Sequence, residues 1–126
     1  MENSTWQYLK LEREGRVLRV EFDSGTKVNS LGNALMRELT DLANSLQFDS
    51  ELNAIVLSGR ADVFTGGMDL KDPELAAAPT MTLAEQRQLV KVGPAMCAAW
   101  EALEPVTIVA IEGWCVGGEI GRASWR

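Results

Sequence analysis

The first part of the chain shows the short apolar–polar alternation that is typical of β-strands. Two β-prone segments, residues 6–12 and 17–22, flank a turn signal at Glu14-Gly15. The second segment alternates apolar with charged residues, which predicts a strand with one buried face. Because so few residues separate the two segments, we expect them to form a β-hairpin.

Leucines at helical spacing follow the hairpin. They recur at steps of three and four residues and predict a helix over residues 30–47. A longer helix is predicted over residues 82–103, because Thr82 and Glu85 have the spacing of a capping box at its start. Gly93-Pro94 is expected to kink or break this second helix, since proline removes a helical hydrogen bond.

Two continuous apolar runs, residues 53–58 and 107–111, predict buried strands. Residues 59–67 are expected to form a loop, and Asp72 is predicted to cap a short helix that starts at Pro73. Buried strands that alternate with helices indicate an α/β fold with a parallel sheet. We therefore expect the two strands to lie side by side in parallel, joined through the helix over residues 82–103.

Length and composition are those of one ordinary globular domain. The chain has 126 residues, of which 46% are apolar and 24% are charged. Its net charge of −6 argues against nucleic acid or an anionic membrane as a partner. No apolar signal-peptide region precedes the first strand, and the longest apolar run, 106–111, is too short to span a membrane. We expect a cytoplasmic protein.

The side-chain inventory excludes several kinds of catalysis. Histidine is absent, which removes Ser–His–Asp and Cys–His catalysis and every His-ligated metal site, and we expect no metal. The two cysteines, Cys97 and Cys115, lack CxxC spacing and are expected to be reduced thiols. The tryptophans are expected to pack rather than to bind a ligand: Trp6, Trp100, Trp114 and Trp125.

Two glycine pairs are the most informative polar features. Gly66-Gly67 and Gly117-Gly118 each come after a predicted buried strand. Glycine leaves main-chain N–H groups unobstructed, so two such turns brought together would hold one negatively charged oxygen. The alternative is that both are tight connections. Residues 113–118 are not a phosphate-binding Walker loop, because Glu119-Ile120 follows where lysine and a hydroxyl residue are required, and no GxGxxG pattern follows either strand.

Three segments together resemble a known family. Residues 54–71 read like its strand and its AFSAGADLKE phrase, residues 104–118 are similar to its KPVIAAVNGxAxGGG phrase, and residues 27–31 to its KxNAL phrase. The family is the crotonase (enoyl-CoA hydratase/isomerase) superfamily, and the resemblance extends over residues 8–118. It implies the crotonase-like ββα spiral, of which residues 1–126 would form the N-terminal portion as a single incomplete domain.

The resemblance also implies a substrate and a site. The substrate class is an acyl-CoA thioester, with coenzyme A as part of the substrate and no separate cofactor. In the family, two main-chain N–H groups hold the thioester oxygen, and the matching residues are Met68 and Gly118. We expect Asp69 to order its own turn rather than to contact substrate. The channel for coenzyme A would be lined by Lys27, Val28, Asn29, Gly66, Gly67, Met68, Asp69 and Leu70. Full-length relatives are homo-oligomers built on trimers.

The sequence departs from the family at positions that matter for catalysis. Glu119 replaces the third glycine of the family phrase, and Gly121 stands where hydratases carry a catalytic glutamate. Glu119 is therefore either an acid or base out of register or an exposed carboxylate in the first turn of a helix. Arg60 is expected to be a solvated loop charge, the alternative being contact with a phosphate of coenzyme A.

Residues 119–126 lack the family's Ala/Leu-rich pattern and are expected to be an atypical tail. We expect a truncated or frame-altered chain that diverges after Gly118, with one sheet edge and apolar faces left uncovered. Two functions stay open: acyl-CoA chemistry through an enolate held by Met68 and Gly118, or a non-catalytic fragment that binds or associates. A third alternative is an unrelated α/β binding module with purely structural glycine turns.

Overall fold

The computed structural model describes residues 6–115, which form two sheets and four α-helices. No helix in this part of the chain is long and apolar enough to cross a membrane. A short 3-10 turn, Ala78–Thr80, follows the second helix. In chain order the elements are β1 Leu9–Glu14, β2 Val17–Phe22, α1 Asn33–Leu46, β3 Ala54–Ser58, β4 Val63–Thr65, α2 Pro73–Ala77, α3 Leu83–Leu89, α4 Val92–Glu101, β5 Val106–Ala110 and β6 Trp114–Cys115.

The larger sheet has the order β1-β2-β3-β5. The predicted hairpin is confirmed, because β1 and β2 are antiparallel. The predicted parallel pair is also confirmed: β3 lies beside β5, with Ile55 opposite Thr107 and Leu57 opposite Val109. One hairpin strand followed by parallel strands that need helical crossovers gives the expected α/β fold class.

One face of this sheet packs against α1 and α4. Leu18, Val20 and Ile55 on the strands are fully or almost fully buried, as are the leucines of the α1 stripe. Trp100 of α4 is buried as predicted, and its indole Nε1–H donates to the main-chain oxygen of Leu39 at 2.9 Å. A hydrogen bond for this buried N–H fixes α4 on α1 without leaving an unpaired polar group.

Two predicted helix boundaries require correction. The first helix begins at Asn33 rather than at residue 30, because Leu31 pairs with a later segment instead of entering the helix. The predicted long helix is two helices, α3 and α4, and the break lies at Val90 and Lys91. Pro94 explains the position, since its ring clashes with the carbonyl four residues earlier, which is that of Val90. The capping box at Thr82 is confirmed.

The predicted loop over residues 59–67 contains a short strand, β4, which pairs in parallel with β6. The two strands approach closely because Gly113 has no side chain: a Cβ there would lie 2.1 Å from the main-chain oxygen of Asp62. Phe64 of β4 packs edge-on against Phe22, with ring centroids 5.2 Å apart. Trp114 of β6 is 74% exposed, so the expectation that it is a packing residue is wrong for residues 6–115.

Strand β5 is an edge of the larger sheet among the strands of residues 6–115. Val106 and Ile108 on its outer face are 64% and 50% exposed. By contrast, the outer face of β1 and β2 carries charged side chains, including Lys10 and Glu21, which form an ion pair at 4.0 Å. The outer face of the sheet is therefore polar at the hairpin, whereas apolar surface is left uncovered at β5, as expected.

Candidate functional site

The segment before α1 runs alongside the segment after β4. Leu31 and Met68 form a parallel bridge. The Leu31 N–H donates to the oxygen of Gly67 at 2.7 Å, and the Asp69 N–H donates to the oxygen of Leu31 at 3.0 Å. The Gly66 N–H donates to the oxygen of Val28 at 2.7 Å. Two segments that the sequence identifies as candidate binding segments are thus brought together.

Met68 differs from its neighbours in the state of its main-chain N–H. The N–H groups of Gly66 and Asp69 are bonded across the bridge, and that of Gly67 donates to the Thr65 hydroxyl oxygen at 3.0 Å. The Met68 N–H has no acceptor among residues 6–115. A parallel bridge explains this, because the N–H of the central residue points away from the partner strand. One donor therefore faces away from the internal pairing, next to a side chain that is 58% exposed.

The glycine pair is required by the close approach of the two segments. A Cβ on Gly66 would lie 2.8 Å from Cβ of Val28, closer than real Cβ atoms approach. Gly67 has φ of +99°, a conformation that residues with side chains rarely adopt. Both glycines are therefore required by the local backbone geometry.

Asn29 is an internal link rather than a surface contact. Its side chain is fully buried, and Nδ2 donates to the main-chain oxygens of Phe22 at 3.2 Å and Phe64 at 2.8 Å. Its Oδ1 accepts the N–H of Ser24 at 2.8 Å. Its φ of +50° lies in the left-handed region that asparagine tolerates. The expectation that Asn29 lines a ligand channel is therefore corrected for its side chain, which is buried and hydrogen-bonded to main-chain groups.

Thr65 is a residue of the site that the sequence did not single out. Its side chain is fully buried at the end of β4. The hydroxyl donates to the main-chain oxygen of Asn29 at 2.9 Å and accepts the Gly67 N–H. The only signal available in the sequence was a hydroxyl residue directly before the glycine pair.

The other predicted binding residues are at the surface. Val28 and Leu70 are exposed apolar side chains, and Lys27 is exposed as well. Asp69 orders its own turn, as predicted, because its Oδ1 accepts the N–H of Lys71 at 3.0 Å. The two paired segments thus carry two accessible apolar side chains, Val28 and Leu70, and one accessible cation, Lys27.

Asp72 joins the site loop to two helices. Its Oδ1 accepts the Glu74 N–H at 2.8 Å, which confirms the predicted cap of α2. Its Oδ2 accepts the Asn33 N–H at the start of α1 at 2.7 Å. A Cβ on Gly32 would lie 2.9 Å from this Oδ2, so glycine makes room for the second cap. The positive end of each helix dipole favours the carboxylate.

An ion pair supports the same junction. The Arg37 guanidinium donates to both carboxylate oxygens of Glu74, at 2.8 Å for Nη2 to Oε1, and Asn33 Nδ2 donates to Oε1 at 3.1 Å. The hydrogen bonds from Arg37, and after them that from Asn33, lower the pKa of Glu74. The same pairing raises the pKa of Arg37.

Arg60 is neither a solvated charge nor free to meet a phosphate, which corrects both alternatives for it. Its guanidinium donates to the main-chain oxygens of Thr26 and of Lys27, the latter at 2.6 Å. It also pairs with Asp62 at 3.2 Å and Asp23 at 3.4 Å, and the bond to Asp62 lowers the pKa of that carboxyl group. Arg60 therefore fixes the loop that leads into the candidate site.

A cavity of about 400 Å³ lies between the sheet and α4. Its lining includes the apolar residues Leu31, Leu57 and Trp100, together with Pro105 before β5 and Thr107 on β5. Leu31 connects the cavity with the candidate site, because its side chain lines the cavity while its main chain pairs with Gly67 and Asp69.

The second half of the predicted site lies outside the described residues. This applies to Gly118, Glu119 and the tail over residues 119–126, so their predicted roles stay predictions. Within residues 6–115, no group of three or more acidic or cysteine side chains could hold a metal ion. Cys97 and Cys115 are of intermediate burial and are not joined in a disulfide, as predicted.

Comparison with known proteins adds an independent observation. The profile of a family described as enoyl-CoA hydratase/isomerase matches residues 12–123. A hydroxycinnamoyl-CoA hydratase-lyase from Pseudomonas fluorescens is 30% identical over 118 residues, which cover 90% of this chain and 41% of the relative. A mitochondrial Delta(3,5)-Delta(2,4)-dienoyl-CoA isomerase from Rattus norvegicus is 30% identical over 114 residues, which cover 86% of this chain and 35% of the relative. The chain thus spans well under half the length of these relatives.

A solved structure shows the same fold. The enoyl-CoA hydratase/carnithine racemase from Magnetospirillum magneticum superposes with a TM-score of 0.79 at 23% identity, over 94% of this chain and 45% of that one. At this identity the likeness concerns the fold. The crotonase-like architecture inferred from the sequence is thereby confirmed.

Proposed function

Because the chain belongs to the enoyl-CoA hydratase/isomerase family, we propose that it binds an acyl-CoA thioester through the main-chain N–H of Met68. This N–H would donate to the thioester carbonyl oxygen, and Gly118 would supply a second donor. Negative charge develops on that oxygen when a proton leaves the neighbouring carbon or a nucleophile adds to a conjugated double bond. Main-chain donors fixed in advance stabilise such charge without rearranging.

One observation carries the proposal. In the run from Gly66 to Asp69, three N–H groups are bonded internally, and the Met68 N–H alone has no acceptor among residues 6–115. A turn built only as a connection has no need to leave one donor unpaired beside a glycine pair that is sterically required. The identity of the Met68 side chain matters little to this role, because the donor belongs to the main chain.

The surroundings of Met68 support a thioester with a long polar carrier. Val28 and Leu70 offer exposed apolar surface for the pantetheine arm. Lys27 is an exposed cation in a chain of net charge −6, so it would favour the phosphates of coenzyme A locally. Arg60 would act indirectly, by holding the Thr26–Lys27 backbone in place.

The second candidate is acyl-CoA binding without efficient catalysis. Gly121 stands where the family resemblance places the carboxylate of hydratases, and the matched relatives carry names of different reactions. A general acid or base contributes about 10²–10⁴-fold to a rate. For the chain as written we therefore propose thioester binding and carbonyl polarisation, with hydration of crotonyl-CoA close to the uncatalysed rate.

The experiment uses butyryl-CoA labelled with a heavy isotope at the thioester carbonyl, which has no double bond to hydrate. Infrared difference spectroscopy should show the carbonyl stretch move to lower frequency on binding, because hydrogen bonds polarise the C=O bond. Free coenzyme A is the control for binding without a carbonyl. Absence of both binding and shift would contradict the proposal. Rapid crotonyl-CoA hydration that is lost in Glu119→Gln would instead make Glu119 a catalytic residue.

A further inference from the structure

The Thr65 hydroxyl bonds to main-chain groups of both segments of the site. It donates to the oxygen of Asn29 at 2.9 Å and accepts the N–H of Gly67 at 3.0 Å. The side chain of Thr65 has no exposed surface, so water does not compete for these bonds.

These bonds restrain the most flexible point of the site. Gly67 has φ of +99° and, as a glycine, has the widest choice of backbone conformations. Its N–H is held by Thr65 and its oxygen by the Leu31 N–H, so the peptide groups on both sides of its Cα are fixed. The peptide between Gly67 and Met68 is planar, and its N–H direction is therefore determined once its C=O is bound.

The anchor behind Thr65 is itself rigid. Asn29 is buried, and its amide side chain binds the main chains of Phe22, Phe64 and Ser24. The Asn29 oxygen that receives the Thr65 hydroxyl is thus fixed to β2 and β4. Because the Thr65 hydroxyl bonds to this oxygen and to the Gly67 N–H, it holds Gly67 in a fixed position relative to the sheet.

We propose that Thr65 is a positioning residue for the Met68 N–H, an inference that rests on the proposed function. The hydroxyl draws the Gly67 N–H inward, so that Met68 presents a single donor in a single direction to the thioester oxygen. Without the hydroxyl, the peptide before Gly67 loses its restraint, and the Leu31 N–H alone has to hold the direction of the Met68 N–H. The side chain of Thr65 itself does not touch the ligand.

The test compares Thr65→Val, which keeps the shape and removes the hydroxyl, with Thr65→Ser, which keeps the hydroxyl. Thr40→Val is the matched control, because the Thr40 hydroxyl also donates to a main-chain oxygen, that of Met36 at 2.9 Å, within α1. The readout is the carbonyl frequency of labelled butyryl-CoA at saturation, together with its dissociation constant. The frequency reports polarisation in the bound complex and is not altered by a loss of stability alone.

We expect Thr65→Val to lose at least half of the frequency shift and to bind about tenfold more weakly. Thr65→Ser and Thr40→Val should retain the shift. A full shift in Thr65→Val would overturn the role of Thr65 and leave the proposed function intact. A wild-type chain without any shift would instead contradict the proposed function itself.

Hydrogen exchange on the unmodified chain covers the case in which Thr65→Val does not fold. The Gly67 N–H should exchange at least about tenfold more slowly than the Met68 N–H, because only the first is bonded. Binding of butyryl-CoA should then slow the Met68 N–H. Equal exchange at the two positions without ligand would overturn the inference.

Discussion

The main-chain N–H of Leu31 donates to the main-chain oxygen of Gly67 at 2.7 Å. This contact helps to orient the peptide between Gly67 and Met68, since its N–H must point opposite to its bound oxygen. Leu31, the first leucine of the stripe that continues through α1, thereby contributes to the direction of the Met68 N–H. The geometry of the candidate site therefore depends mainly on main-chain pairing between distant segments, and less on exposed side chains.

The first prediction concerns the glycine that carries the strained conformation. Gly67→Ala should lower the free energy of unfolding by roughly 1–3 kcal/mol, because φ of +99° is unfavourable for alanine. Gly93→Ala is the control: it lies in α4, and its Cβ would meet only the Met36 sulfur, at 3.8 Å. That variant should be as stable as wild type or more stable. Urea denaturation of both measures the contrast, and equal effects would contradict it.

The second prediction concerns Asp72. Asp72→Ala removes acceptors from the first turns of α1 and α2, and a helix cap contributes about 1 kcal/mol, so the expected loss is about 2 kcal/mol. Thr82→Ala removes one cap, that of α3, and should cost about half as much. The unfolding free energies of the two variants test the double role. A loss in Asp72→Ala no larger than in Thr82→Ala would show that one of its two caps contributes nothing.

The main elements of the fold could be predicted because they depend on local patterns. The apolar runs of β3 and β5 identify buried parallel strands, and the leucine stripe identifies α1. The turn at Asp69 and the cap at Asp72 could be predicted for the same reason, since each carboxylate accepts the N–H of the residue two positions further on. The sequence motif identifies the glycine pair, whereas the directions of the N–H groups in this segment follow from the fold.

The missed features all depend on contacts between distant segments. Strand β4 has three residues, too few for any periodicity to appear. The bond between Thr65 and Asn29 links residues 36 positions apart, and the second cap of Asp72 reaches Asn33, 39 positions away. The role of Arg60 depends on distant contacts too, because its main-chain partners lie on a loop more than thirty residues earlier. Such hydrogen bonds leave no spacing signal in one sequence.

The third prediction concerns acid stability. Glu74 has a lowered pKa in the folded chain, so its pairing stabilises the fold above the ordinary value of 4.5 and is lost as the pH falls through the lowered pKa. Glu74→Gln should cost about 0.5 kcal/mol at neutral pH, a small value because the pair is more than one third exposed. The difference from wild type should vanish on acidification. Glu12→Gln, which removes the same charge from β1, is the control, and a difference that grows at low pH would contradict the assignment.

The fourth prediction concerns the edge strand. Strand β5 is an edge of the sheet among residues 6–115 and exposes Val106 and Ile108, so the chain should associate in a concentration-dependent way. Ile108→Lys places a charge on this edge and should shift the chain towards monomer. Phe48→Lys is the control, because Phe48 is an exposed apolar residue that follows α1 and is not part of β5. Sedimentation velocity measures the mass, and equal association of both variants would exclude β5 as the contact.

The central claim concerns one main-chain donor, and it is tested by removing that donor. Replacing the peptide bond before Met68 by an ester deletes the N–H, keeps the side chain and weakens the Gly67 oxygen as an acceptor for Leu31. The matched control is an ester before Leu83, whose N–H also lacks an acceptor among residues 6–115. There the weakened oxygen is that of Thr82, which accepts from Gln86 at 2.9 Å. Each ester therefore weakens one accepted hydrogen bond.

The decisive measurement is the carbonyl frequency of labelled butyryl-CoA bound to the two ester proteins. The Met68 ester should lose at least half of the wild-type shift to lower frequency, because one of two proposed donors to the thioester oxygen is gone. The Leu83 ester should retain the full shift. A Met68 ester that binds butyryl-CoA and still gives the complete wild-type shift would contradict the assignment of this N–H to the thioester oxygen.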